Sequence, residues 1–201
     1  MRGWVKAGLA LMLAAGFAPL SAQGFGSASE GEAFLKAVEE GDNSKAIPLL
    51  DSPSARVVNY RGFKGDTALH IVTRKRETDW VGYLLKKGAD PNIGDAKGDT
   101  ALMIAARIGY EEAASWMTRL GARVDTANRR GETALIIAVQ QRQPRMVELL
   151  LKAGANPDKA DHSAGYSARD YAKRDTRNPG ILRLIETVKS TKKAVAGPNL
   201  N

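Results

Sequence analysis

The pentapeptide Gly65-Asp-Thr-Ala-Leu69 returns as Gly98-Asp-Thr-Ala-Leu102 and, with one acid exchanged, as Gly131-Glu-Thr-Ala-Leu135. The three starts lie 33 residues apart. Even spacing of that length is the mark of a chain built from one stacked unit, each copy burying its apolar face against the next. The likeness runs well past the tag. Residues 65–92, 98–125 and 131–158 align without a gap, and each copy reaches Gly-Ala at Gly88, Gly121 and Gly154.

Local rules turn the pattern into structure. Thr67, Thr100 and Thr133 stand where a helix starts, with hydroxyls able to accept from orphan amides. Leu69, Ile71 and Val72 share one helical face, as do Leu102, Ile104 and Ala105, and Leu135, Ile137 and Ala138. A second helix follows, marked by Trp80, Val81, Leu84 and Leu85, by Ala113, Ala114, Trp116 and Met117, and by Met146, Val147, Leu149 and Leu150. Pro144 falls in its first turn, where a missing amide costs little. Gly88, Gly121 and Gly154 sit where that helix must end, at positions favouring positive φ. The expected fold is all-α: a solenoid of helix–turn–helix units joined by short loops.

These motifs resemble the ankyrin repeat family, whose unit opens its first helix with Thr-Pro-Leu-His. Here the tetrapeptides are Thr67-Ala-Leu-His70, Thr100-Ala-Leu-Met103 and Thr133-Ala-Leu-Ile136, with alanine in place of proline each time. The family's Gly-Ala-Asp-x-Asn ending appears as Gly88-Ala-Asp-Pro-Asn92, Gly121-Ala-Arg-Val-Asp125 and Gly154-Ala-Asn-Pro-Asp158. The resemblance implies a turn plus two antiparallel helices in each unit. Weaker copies flank the three. Ala37-Val-Glu-Glu-Gly41 reads as a helix end with its glycine, and Ser29 with Glu32 reads as a capping box opening that helix. Pro48 fits the next helix if that helix starts near Ser44. Gly165–Ala172 imitates the tag, and Asn178-Pro179 opens a last helix bearing Ile181, Leu182, Leu184 and Ile185. Polar terminal units are what a solenoid needs as caps. The expected units are 32–64, 65–97, 98–130, 131–164 and 165–189. Residues 23–31 read as a flexible linker and 190–201 as a flexible basic tail.

The chain has 201 residues, 43% of them apolar, 26% charged and 6% aromatic, with a formal charge of +8. Its start supplies two of those charges. Arg2 and Lys6 precede an uncharged, mostly apolar run at Ala7–Ala18, then Pro19 and small residues. That run is shorter than the roughly 20 apolar residues a membrane span needs. It reads as a cleaved signal peptide over 1–22, with cuts after Ala22 or Gly24 both open. Cleavage leaves 28 basic against 22 acidic residues. With no cysteine, a lipoprotein anchor, disulfides and thiolate metal sites are excluded. No Asn-x-Ser/Thr sequence occurs, which agrees with a bacterial periplasmic address.

Catalytic constellations are missing from the sequence. The two histidines, His70 and His162, stand three units apart, roughly 30 Å if stacked helices are spaced by about 10 Å. The resemblance makes His70 the repeat's own structural histidine, bonded to the neighbouring loop. His162 lies near Asp158 and Asp161, read as solvated loop polarity. Asp66, Asp99 and Glu132 form a ladder, but the repeat itself forces it, and nothing apolar nearby separates their proton affinities as acid–base catalysis requires. No phosphate-binding loop, nucleophile elbow or zinc-protease motif is present. The chain is expected to be no enzyme and to need no cofactor or metal.

The resemblance implies instead a protein-binding surface on the concave side, made by loop tips and the exposed side of the first helices. The corresponding residues are Phe63, Lys64, Asp66, Arg74 and Lys75; Ala96, Lys97, Asp99, Arg107 and Ile108; Arg129, Arg130, Glu132, Gln140 and Gln141; then Tyr166 and Arg174. Eight are basic and three acidic. Arginine outnumbers lysine, and Phe63, Ile108 and Tyr166 offer apolar anchors of the kind hot spots use. The expected partner is an acidic protein, its carboxylates read by arginine forks. An immunity-type role against a toxic periplasmic enzyme, a scaffold role, and binding of anionic lipid or lipopolysaccharide all remain open. Nucleic acid fits the charge but not the leader, and the chain is expected to be monomeric.

Overall fold

Threonine at the head of each regular unit starts a helix, and glycine ends the helix that follows. The computed structural model describes residues 23–52 and 57–188. Among them stand ten α-helices: α1 Gln23–Glu40, α2 Asn43–Asp51, α3 Ala68–Lys75, α4 Thr78–Lys86, α5 Ala101–Ile108, α6 Glu111–Arg119, α7 Ala134–Gln140, α8 Pro144–Lys152, α9 Ala168–Arg174 and α10 Pro179–Thr187. Thr67, Thr100 and Thr133 are the N-caps of α3, α5 and α7, and the Thr100 and Thr133 hydroxyls accept from Met103 N at 3.4 Å and Ile136 N at 3.3 Å. Ser167 and Asp170 cap α9 reciprocally. Pro144 and Pro179 open α8 and α10, where a proline's missing donor was unpaired in any case. Gly88, Gly121 and Gly154 have φ of +88°, +100° and +92°.

The ten helices form five pairs in two rows. The first helices α1, α3, α5, α7 and α9 each pack on the next, and α4, α6, α8 and α10 make a parallel outer row, while α2 rests on α1. One apolar cluster runs unbroken from Phe34 in α1 to Ile185 in α10. Interior units are covered on both sides, so residues 101–106 of α5 and 134–139 of α7 are buried all round. No helix among the described residues is long and apolar enough to cross a membrane. The whole is an all-α repeat solenoid.

Three local readings are corrected. Residues 23–31, expected to be a flexible linker, belong to α1. The Phe34–Val38 stretch anchors the helix, and with no proline and no β-branched residue before Val38 it continues backwards despite the weak helix propensity of Gly31, Gly26 and Gly24. Ser29 therefore lies inside the helix and is not its cap. Close packing also crosses here, since a Cβ on Gly31 would sit 2.3 Å from the Tyr60 ring. Pro48 lies beyond the first turn: α2 opens at Asn43, capped by Asp42 through Lys45 N at 3.2 Å, which leaves the Ser44 carbonyl without Pro48 as a donor. The leader over 1–22 and the tail over 190–201 lie outside the described residues.

Candidate partner-binding surface

Between the helix pairs the chain makes hairpins, and side-chain acceptors fix their tips. Gly62, Asp95, Asn128 and Asp161 recur at the 33-residue period. Asp95 Oδ1 accepts from the amides of Lys97 (2.7 Å) and Asp99 (3.0 Å), and Asn128 Oδ1 from those of Arg130 (2.9 Å) and Glu132 (3.0 Å). Asp161 Oδ1 takes three amides, from Ser163, Ala164 and Gly165. An acceptor that closes on its own backbone two residues ahead makes a turn rigid. The hairpins then stack: Arg129 N donates to Lys97 O at 3.1 Å and His162 N to Arg130 O at 2.8 Å. That contact explains the tag's glycine, because Gly131 has φ of +79° and a Cβ there would lie 2.4 Å from His162 N.

A second ladder clamps the outer loops. Asn59 Nδ2 donates to Gly88 O while its Oδ1 accepts from Asp90 N, and Asn92 repeats this on Gly121 O and Arg123 N. Asp125 keeps the acceptor half, on Asn156 N at 2.8 Å. His70 ties inner rows together. Its Nδ1 accepts from the Thr67 amide at 3.1 Å, so Nε2 carries the proton and donates to Asp99 O at 3.0 Å. Burial holds its pKa below the ordinary value, against the pull of the Asp99 carbonyl and the Asp66 and Asp95 charges.

The acids of the expected stripe are occupied by its own arginines. Arg74 grips Asp66 through both nitrogens, Arg107 Nη1 meets Asp99 Oδ2 at 2.9 Å, and Arg174 donates to Tyr166 Oη at 3.0 Å. All three pairs have the same offset of eight residues. In the third regular unit Gln140 fills the arginine's place, so Glu132 turns to Arg130, 2.6 Å away. Asn128 Nδ2 bridges Asp99 (2.7 Å) and Glu132 (2.9 Å), completing a chain of neutralised charge. Burial pushes the Asp99 carboxyl up, yet the hydrogen bonds of Asn128 and Arg107 and the charges of Arg107 and Arg130 bring it below the usual carboxylate range. Asp161 behaves alike: burial raises it, and Tyr171 with the three amides outweighs that.

The seventeen-residue stripe therefore divides. Lys75 is spent on the end of α1, donating to Val38 O and Glu39 O, and on Glu77. Ile108 is half-buried against the core and does not serve as a spare anchor. Tyr166 stacks edge-on to Tyr171 and carries the Arg174 guanidinium 4.5 Å over its ring. Gln140 and Gln141 are exposed beside the turn after α7. What stays open to a partner is Phe63, 101% exposed, with Lys64, Lys97 and Arg129, which make no ion pair among the described residues. Two clefts flank them. One of about 880 Å³ lies between α1 and α3 beneath Phe63, and one of about 400 Å³ lies between the second and third hairpins, lined by Lys97, Arg107, Asn128, Arg129 and Arg130 with Asp99.

Reactive chemistry finds little to work with here. The ladder carboxylates are held by cations, the condition opposite to that of a catalytic acid. Among the described residues no group of three or more His, Asp or Glu could hold a metal ion. His162 is exposed, and Asp161 beside it is saturated by Tyr171 and its own loop. A family model for ankyrin repeats (three copies) matches residues 34–128 and 83–161. No curated protein matches the chain. With that match spanning well over half the chain, and helix pairs, glycine ends and stacked hairpins all in register, the chain belongs to the ankyrin repeat family.

Proposed function

We propose that this protein is a periplasmic interaction module that docks an acidic protein on its concave hairpin face, holding or shielding it. The ankyrin array is a protein–protein interaction module, and one observation carries the rest: Phe63, wholly exposed on a hairpin tip, beside cations that the fold leaves unpaired. A large aromatic left wholly in water gains by burying its surface against a partner, as binding anchors do. The leader pattern and the absence of Asn-x-Ser/Thr support export from a bacterial cytoplasm.

The test is capture from periplasmic extract on immobilised chain (residues 23–201), beside a Phe63→Ser, Arg129→Glu bait. Both positions are exposed, so the variant keeps the fold. A protein held by the first and lost from the second supports the reading, and equal capture by both sinks it. Export is tested separately, by fractionation: the reading requires a shortened chain in the periplasmic fraction, and full-length chain in the cytosol contradicts it.

A further inference from the structure

We propose that the cleft between the second and third hairpins is a subsite for alternating carboxylates of an extended acidic segment, with Lys97 and Arg129 as the cations that receive them. This rests on the concave-face reading and says which chemistry the face selects. Arg107 and Arg130 line the same cleft, but their forks already hold Asp99 and Glu132. The cleft is lined by four cations and one carboxylate, Asp99, and Glu132 behind it holds Arg130, which leaves Lys97 and Arg129 as its two unpaired positive charges.

Geometry sets the spacing of what binds. Lys97 and Arg129 are joined through their backbones, Arg129 N to Lys97 O at 3.1 Å, so their side chains leave from neighbouring hairpins at adjacent points. Hydrogen-bonded neighbours across such a contact stand about 5 Å apart at Cα. In an extended chain, side chains on one face recur every second residue, about 7 Å apart. Two carboxylates at alternate positions are within reach of two long, exposed cations rooted that close together. Both bare cations are exposed and lend the hairpins only backbone groups, so removing their side chains leaves the fold intact.

The experiment measures anisotropy of a fluorescein-labelled peptide of alternating glutamate and serine, beside its glutamine–serine counterpart, with phosphatidylglycerol vesicles as a sedimentation arm. The wild-type chain is expected to bind the glutamate peptide and not the glutamine one. Lys97→Ala with Arg129→Ala is expected to weaken binding about tenfold, two exposed ion contacts' worth. Arg119→Ala with Arg145→Ala removes equal charge from exposed positions on α6 and α8 and is expected to leave binding within about twofold. Equal loss in both double variants means net charge alone attracts the peptide and overturns the subsite, as does no binding by wild type. Vesicles that sediment the chain through Lys97 and Arg129 while the peptide stays free assign the cations to a lipid surface, which also overturns it. A captured protein lost on Phe63→Ser but kept by the Lys97, Arg129 variant overturns the subsite while leaving the interaction function standing.

Discussion

Asn128 occupies the position that is aspartate in the hairpins on either side, Asp95 and Asp161, and the difference is electrostatic. Its amide nitrogen faces Asp99 and Glu132 at once, so it must donate where a carboxylate could only repel. Asn128→Asp keeps the turn-closing oxygen but adds a third carboxylate to a buried pair. Two neighbouring carboxylates oppose the ionisation of the new one and hold its folded pKa above the unfolded value, so the variant's stability is present at low pH and lost as pH rises. Urea unfolding is expected to find it near wild type at about pH 4 and weaker by about 2–3 kcal/mol at pH 7. A deficit independent of pH would show that the bridge is not what holds these acids. His70 gives the opposite sign test. The fold keeps its ring neutral, while the unfolded chain protonates at the ordinary value of 6.5, so stability is full above that pH and declines beneath it. The melting temperature is expected to fall between about pH 7.5 and 5.5, and His70→Gln is expected to start lower and respond less. Part of this was legible: the resemblance to the ankyrin unit implied a structural role for His70. The arginine–acid pairs were not, although the offset of eight residues in Asp66–Arg74 and Asp99–Arg107 is a periodic signal that a search for acid and base at fixed separation would find.

At the scale of the element, threonine and glycine marked the helices because each acts within a turn of itself. The hairpins were less legible because their determinants act across units. Gly131 is the clearest case. Its φ alone makes it glycine, as at Gly121, but at Gly131, as at Gly65 and Gly98, the next hairpin also closes over the missing Cβ. Gly121 has nothing within 4 Å of that position. Alanine at Gly121 is expected to cost about 1 kcal/mol, the left-handed backbone term. Alanine at Gly131 is expected to cost about 2–4 kcal/mol, because the backbone of His162 must also move. Equal losses in denaturant titrations would mean that the hairpins do not bear on one another. The same distinction explains α1, whose start was misplaced: Ser29 and Glu32 form a local signal for a cap, while the helix is decided by the packing of Phe34, Leu35, Ala37 and Val38 further along.

For the whole molecule, the repeat fixes contacts only between neighbours, so the shape follows from the period while the partner does not. Surface residues at tag-equivalent positions read as one basic stripe in sequence, yet folding consumes Arg74, Arg107 and Arg130 in internal pairs and leaves a shorter set beside Phe63. Nearest-neighbour energetics also bear on the C-terminal cap. α9 and α10 pack chiefly on α7 and α8, covering them with Ala168, Ala172, Ile181 and Ile185. In a chain ending at residue 164, the four preceding pairs keep all their own contacts but expose the apolar flank of α7 and α8, and Asp161 loses Tyr171. Such a chain is expected to fold, with a urea m-value lower by about one fifth as two of ten helices are removed, a lower midpoint, and binding of a hydrophobic dye that the longer chain lacks. If it is wholly unfolded instead, stability is spread over the array as one cooperative unit, and the cap is a condition of folding for every pair before it. If its midpoint matches that of the longer chain, the fifth pair contributes nothing to its neighbours, and the apolar contacts of Ile181 and Ile185 are no part of what holds the solenoid together.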